Sequence, residues 1–181
     1  VAGPLGVDGP GPPRPPRHLL PPAAQLDRSA RDGLLLPFVV DVDGRLVGQV
    51  QLFDVLGGAR SSGLAGYWLD ERATGHGYAT WAVALLLDHA LGPVGLHRVE
   101  VAIRPENEAS LAVAARLRLP EEGLRRGFMH VDGRWADHRG FAVVAEDLGP
   151  GGYADGGLVG MLRREHGPAS TTRNLRDTPP A

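Results

Sequence analysis

The sequence predicts one α/β domain of the α+β type, in which two β-hairpins flank a β-α-β-α unit. Two kinds of segment carry that expectation. Asp43-Gly44 and Asp132-Gly133 each join strand-like segments, and a two-residue hairpin turn needs positive φ at both central residues. Between the hairpins, GHGYATWAVALLLDHAL is too long for one strand and apolar nearly all round, as a helix buried against a sheet must be. A β-rich segment, HRVEVAIRP, follows it as a further strand.

Residues 1–22 hold 8 of the 16 prolines and 4 of the 26 glycines. Proline fixes φ and donates no amide hydrogen, so this stretch forms neither helix nor paired strand. It reads as an extended, largely disordered arm, with a proline-rich docking motif as the alternative. Residues 23–34, AAQLDRSARDGL, suit a short helix ending near Gly33. Residues 1–34 therefore stand apart from an ordered domain at 35–148. Within it, PFVVDV and RLVGQVQLFDV pair across Asp43-Gly44, and a third strand covers 64–71. Gly92-Pro93 ends the long helix. NEASLAVAARL is a second helix opened by Asn107, a favoured N-cap residue. LRRGFMHV and GRWADHRGFAVVAEDL form the second hairpin. Residues 149–181 make a tail with a candidate helix at 157–165, then polar sequence expected to be disordered. The chain opens with Val, as a fragment, an alternative start codon or a misjudged start would.

Composition excludes several chemistries. With no cysteine in 181 residues there is no disulfide, thiolate nucleophile or cysteine-ligated metal. All 19 basic residues are arginine, so a Schiff-base lysine and a Walker A loop are also excluded. A net charge of −2 argues against direct nucleic-acid binding. No apolar run reaches the ~18 residues of a membrane span, and no signal-type stretch opens the sequence. A cytoplasmic, membrane-free protein without a metal is expected.

The most informative segment is Glu71-Arg72-Ala73-Thr74-Gly75-His76-Gly77-Tyr78-Ala79-Thr80. A strand enters a glycine loop, and the loop enters a buried helix. The first amides of a helix lack internal acceptors, and the aligned peptide dipoles place partial positive charge there. Glycines let backbone approach a ligand closely, so the segment suits a phosphate or pyrophosphate, with Arg72 and His76 as side-chain donors. A tight turn without a ligand is the alternative. A dinucleotide fingerprint fits less well, because its third glycine position holds Thr80.

Arg72, Gly75 and Gly77 match the acyl-CoA signature of the GNAT acetyltransferases: Arg or Gln, two variable residues, Gly, one variable residue, then Gly or Ala. More narrowly the chain resembles the RimJ/RimL branch, which acetylates N-terminal amines of ribosomal proteins. Tyr67-Trp68-Leu69-Asp70 resembles the strand entering the loop. His97-Arg98-Val99-Glu100 and Arg104-Pro105-Glu106-Asn107-Glu108-Ala109-Ser110 resemble the next strand and the Asn-x-x-Ser helix start. Glu121 to Arg125, and Gly133, Trp135, Asp137 and His138, resemble the last hairpin. The likeness covers roughly 35–148 and implies a mixed, mostly antiparallel sheet splayed at its centre, with helices on both faces. It also implies acetyl-CoA as co-substrate. Backbone around Leu69 and Asp70 would pair with the pantetheine. Arg72 and the amides from Gly75 through His76, Gly77 and Tyr78 to Ala79 would hold the pyrophosphate. Asn107 would hydrogen-bond the pantetheine arm.

Acyl transfer from a thioester to an amine needs a neutral amine, a stabilised carbonyl oxygen and a stabilised leaving thiolate, with both substrates held together. The branch pattern makes Ser110 the candidate for the thiolate, with helix capping as its alternative. Alternation puts Glu100 and Ala102 on one face of their strand and Val99, Val101 and Ile103 on the other. Among apolar neighbours Glu100 would have a raised pKa and act as the base, whereas ion-paired it would not. Asp137, His138, His130 and Tyr78 are further base candidates, and water is another. The strand Leu124–Val131, where some relatives carry a carboxylate, has none.

Two departures stand out. Where the branch ends its Asn-x-x-Ser helix with Leu-Gly-Phe, this chain has Leu117-Arg118-Leu119-Pro120, and arginine in the left-handed cap costs about 1 kcal/mol. The family's first strand and two helices precede its first hairpin. Here that place holds proline-rich sequence, so they are expected to be absent, leaving an open sheet edge and an open amine pocket. Three readings follow: an N-acetyltransferase acting on a protein N-terminus, a truncated or non-catalytic acyl-CoA-binding module, and an unrelated nucleotide-binding α/β protein. Small-molecule amines remain alternative acceptors, and a homodimer covering the open edge is the one assembly considered.

Overall fold

The computed structural model describes residues 28–131, 133–148 and 156–166. The arm up to residue 27, Asp132 of the second turn and the chain after 166 lie outside the described residues. A helical turn at 28–31 closes at Gly33, whose φ of +69° lets the Leu34 amide return to Ser29 O at 2.9 Å.

Among the described residues six strands form one sheet: β1 Leu36–Val42, β2 Arg45–Leu56, β3 Ser62–Leu69, β4 Arg98–Ile103, β5 Glu121–Val131 and β6 Arg134–Val144. Their order is β1-β2-β3-β4-β6-β5, and only the β3–β4 pair is parallel. Asp43 and Gly44 take φ of +52° and +77°, as the predicted hairpin turn requires, and Val42 pairs with Arg45 across it. Strand β3 stops at Leu69, two residues before its predicted end. Asp70 accepts the Arg72 amide at 2.9 Å and caps a 3-10 turn at Glu71–Ala73, so these residues leave the sheet.

Among the described residues three longer helices pack with the sheet: α1 Tyr78–Leu91, α2 Glu108–Arg116 and α3 Gly157–His166. Val83, Leu86, Leu87 and Ala90 recur at helical spacing on α1 and are buried with Val50 and Leu52 of β2, Val99 and Val101 of β4 and Val143 of β6. Each fully buried leucine or valine contributes about 2 kcal/mol. Helix α3 belongs to this core, because Leu158, Met161 and Leu162 are buried in it. Its start is held from 70 residues away: the Leu158 and Val159 amides each donate to the Asp88 carboxylate at 2.9 Å. Burial raises the Asp88 pKa, and the two amides offset that only in part.

The sheet is not continuously bonded. Strands β3 and β4 pair over Ser62–Ala65 and Arg98–Val101 only. Beyond that, Gly66 to Leu69 pair with β2 alone, and Ala102 and Ile103 with β6 alone. The two halves part at this point, which is the central splay the resemblance implies.

Candidate active site

A cleft of about 750 Å³ opens where β3 and β4 part. Tyr67, Trp68 and Leu69 supply one wall, the loop Ala73–Gly77 and first turn of α1 another, and α2 with Leu162 the rest. Gly75 and Gly77 take φ of +79° and +82°, a region an L side chain enters only with strain. Gly77 is the N-cap of α1 and offers no side chain to its amides. The first backbone bond of the helix runs from the Trp81 amide to Gly77 O at 3.2 Å. The amides ahead of it lie outside the helix's own bonding, in a segment that lines the cleft. A Cβ at Gly75 would meet nothing within 4 Å, so the loop is open to a ligand. His76 stacks on Tyr78 with ring centroids 5.5 Å apart, and its Nδ1 lies 2.8 Å from Thr74 O.

Opposite the loop, Asn107 Oδ1 accepts the Ser110 amide at 3.1 Å and caps α2. That bond fixes the first turn of α2 and brings Ser110 to the cleft beside Tyr67. The Tyr67 hydroxyl is buried beside Ser110 and is left without a hydrogen-bond partner among the described residues. Burial raises its pKa, and the neighbouring Ser110 lowers it less.

Of the residues singled out in the sequence, the cleft gathers Leu69, Gly75, His76, Gly77, Tyr78, Ala79, Asn107 and Ser110. Three side chains lie elsewhere. Arg72 is folded onto Asp70, with Nε 3.0 Å from Oδ1 and an Nη 2.7 Å from Oδ2. The Arg72 side chain and amide hold the Asp70 carboxyl down to about 2. Neither side chain lines the cleft.

Glu100 is the third. The predicted alternation holds: Val99, Val101 and Ile103 are buried, with Glu100 on the other face. There Arg98 Nε lies 3.0 Å from Glu100 Oε1, and an Arg125 Nη lies 2.5 Å from Oε2. Glu122 pairs with Arg98 and closes the network. Burial alone would raise the Glu100 carboxyl, but the two guanidinium groups outweigh it and hold it below its ordinary value. The environment that would make Glu100 a base is therefore not present.

The other base candidates are placed too. Asp137 accepts the Gly127 amide at 2.7 Å, supporting an irregularity in β5 where Gly127 has positive φ. His138 is buried, with Nδ1 3.1 Å from Ala136 O, and the His130 ring meets the Trp135 ring edge-on. None of the three lines the cleft. Tyr67, Trp81 and Arg116 do, and were not singled out for it. For Arg116 a signal existed: Asn107, Ser110, Val113 and Arg116 recur every third residue along α2. For Tyr67, nothing local says that its strand leaves its neighbour two residues earlier.

Comparison with known proteins agrees with this geometry. The family model for an acetyltransferase (GNAT) domain matches residues 17–119. The probable N-acetyltransferase YjcK of Bacillus subtilis is 36% identical over 105 residues, covering 58% of each chain. The [Ribosomal protein uS5]-alanine N-acetyltransferase of Escherichia coli is 26% identical over 106 residues, 59% of this chain and 55% of that protein. The structure of Mycobacterium smegmatis RimJ in complex with CoA-disulfide superposes with a TM-score of 0.72 at 41% identity, covering 78% of this chain and 65% of that one. The chain thus spans little more than half the length of the curated relatives it matches. The splayed mixed sheet, the glycine loop at the head of α1 and the family match together show that this chain belongs to the GNAT acetyltransferase family.

Proposed function

We propose that this chain is an acetyl-CoA-dependent N-acetyltransferase that moves an acetyl group to a primary amine, and that the amine is a protein N-terminus of the ribosomal-protein alanine type. One observation carries the reading: a single cleft joins unbonded helix amides at one end to the Ser110 and Tyr67 hydroxyls at the other. The solved RimJ relative is a CoA complex, and a curated relative acts on a ribosomal-protein alanine, which supports the donor and the acceptor class.

The residues fit the donor. Amides from Gly75 to Ala79 suit a pyrophosphate, and the Leu69 backbone, unpaired towards β4, suits the amides of a pantetheine arm. Asn107 keeps its side-chain NH2 for the same arm while its Oδ1 caps α2. Arg116, exposed at the cleft, suits a further phosphate; Arg72 would have to leave Asp70 to contribute. When bound, acetyl-CoA supplies an activated acetyl group. Ser110 supplies the proton that the departing sulfur takes, and the proton that the amine sheds returns through water to replace it.

A second reading is favoured by one observation. Among the described residues, no carboxylate lines the cleft, and His76 is the only histidine there. A non-catalytic acyl-CoA-binding module needs no base.

Thermal unfolding with and without acetyl-CoA tests the donor site. Ligand at 100 times its Kd stabilises by about 2.7 kcal/mol, a rise of several degrees, and Gly77→Glu is expected to abolish it. No shift in the wild type would sink both readings. Thiol release with an alanine-initiated peptide then separates them: turnover supports the enzyme, and binding without turnover the module. With no cysteine in the chain, the released thiol is read without background.

A further inference from the structure

The Tyr67 hydroxyl is the one buried side-chain oxygen among the described residues left without a partner. It lies in the cleft, two residues beyond Ala65, the last residue of β3 that pairs with β4, and beside Ser110 on the first turn of α2. Phenylalanine would fill the same space without burying an unpaired hydroxyl. Left unpaired, this oxygen is a cost, and Ser110 is the neighbouring hydroxyl that could relieve it.

We propose that Tyr67 is a positioning residue for the thioester sulfur: its hydroxyl donates to Ser110 Oγ and turns the Ser110 proton towards the sulfur of a bound acyl-CoA. The inference rests on the acyl-CoA reading above and deepens it. As the carbon–nitrogen bond forms and the carbon–sulfur bond breaks, the electron pair leaves with sulfur, which takes the Ser110 proton. Ser110 Oγ takes the Tyr67 proton. The phenolate is refilled, through water, by the proton that the amine nitrogen sheds. Protons and electrons balance without a further reactant. The Tyr67 phenol is raised by burial, so it stays protonated and able to donate at neutral pH.

The test compares CoA with desulfo-CoA, which lacks the sulfur, by calorimetry on the full chain. Wild type is expected to bind CoA about fivefold more tightly, as one net hydrogen bond gives. In Tyr67→Phe and in Ser110→Ala the ratio falls to about one, desulfo-CoA affinity stays at the wild-type value, and the double variant loses nothing more. Ligand-free Tyr67→Phe unfolds at the same temperature as wild type or higher, which separates positioning from a structural role. A ratio that persists in Tyr67→Phe, or a wild-type ratio of one, overturns the role of Tyr67 and leaves the donor site intact. If wild type binds neither ligand, the acyl-CoA reading fails and this inference with it.

Discussion

Glu100 acquires its chemistry from two arginines, one on its own strand and one on β5. Alone on an apolar strand it would hold its proton longer, but Arg98 two residues before it and Arg125 from β5 keep it ionised. Its pKa is lowered on folding, and so is that of Glu122. Each therefore stabilises the fold above its unfolded pKa and loses that contribution as pH falls through the lower folded value. The unfolding midpoint is expected to hold between about pH 7 and 5 and then fall, with a shallower acid limb in Glu100→Gln. That substitution also weakens a half-buried ion pair by about 1 kcal/mol, roughly 3 °C in midpoint, without changing acetyl-CoA affinity. Ser110→Ala is the opposite case: its midpoint stays put while kcat falls about 100-fold, the low end for general acid catalysis. If Glu100→Gln instead lowered kcat at unchanged stability, the base role would return to it.

At the level of elements, local chemistry was legible where one turn or cap decides the outcome. Asp43-Gly44 needs nothing beyond its own φ angles, and Asn107 caps α2 with an atom three residues from its donor. The two-residue alternation of β4 gave its buried face correctly. What was not legible depends on partners far along the chain. The fold of Arg72 onto Asp70 competes with the ligand role that the glycine loop suggests. Helix α3 reads as tail until Asp88 on α1 is known to cap it. A Cβ at Gly157, where φ is +65°, would stand 2.5 Å from Asp88 Oδ1. Gly157→Ala is therefore expected to cost more than about 2 kcal/mol by denaturant unfolding and to loosen Leu162, which lines the cleft. The end of α2 gives a prediction of opposite sign. Arg118 sits at φ +53°, its amide bonded to Ala115 O and the Leu119 amide to Ala114 O, both at 3.0 Å, which is a Schellman cap. Arg118→Gly removes about 1 kcal/mol of left-handed strain, while the ion pair it gives up with Glu165 is largely exposed and weak. The midpoint should rise by about 2–3 °C, and a fall would mean that the contacts of Arg118 outweigh the strain.

At the scale of the whole described fold, the sheet is two half-sheets, β1-β2-β3 and β4-β6-β5, joined by four residue pairs. Nothing in the β3 or β4 sequence says how long their pairing lasts, since both strands continue past the point where they part. The width of the cleft therefore depends on what holds the end of β3 from behind. Gly48 of β2 does this: it pairs with Leu69, and a Cβ there would come within 2.4 Å of Trp68 O and 2.5 Å of Leu69 Cδ2. The first of these is backbone and cannot give way as a side-chain tip would. Gly48→Ala must move Trp68 and Leu69, the segment proposed to pair with the pantetheine. The cost should appear twice: about 2 kcal/mol in stability, and about tenfold or more in acetyl-CoA affinity. The control is Gly63→Ala on the same strand pair, where the nearest atom to the new Cβ is a Leu96 methyl at 3.4 Å, an ordinary contact. It should affect affinity little, because β3 and β4 are still bonded there. If Gly48→Ala lost stability but kept full affinity, the pantetheine would not lie along β3, and the glycine loop would be the only part of the donor site still supported.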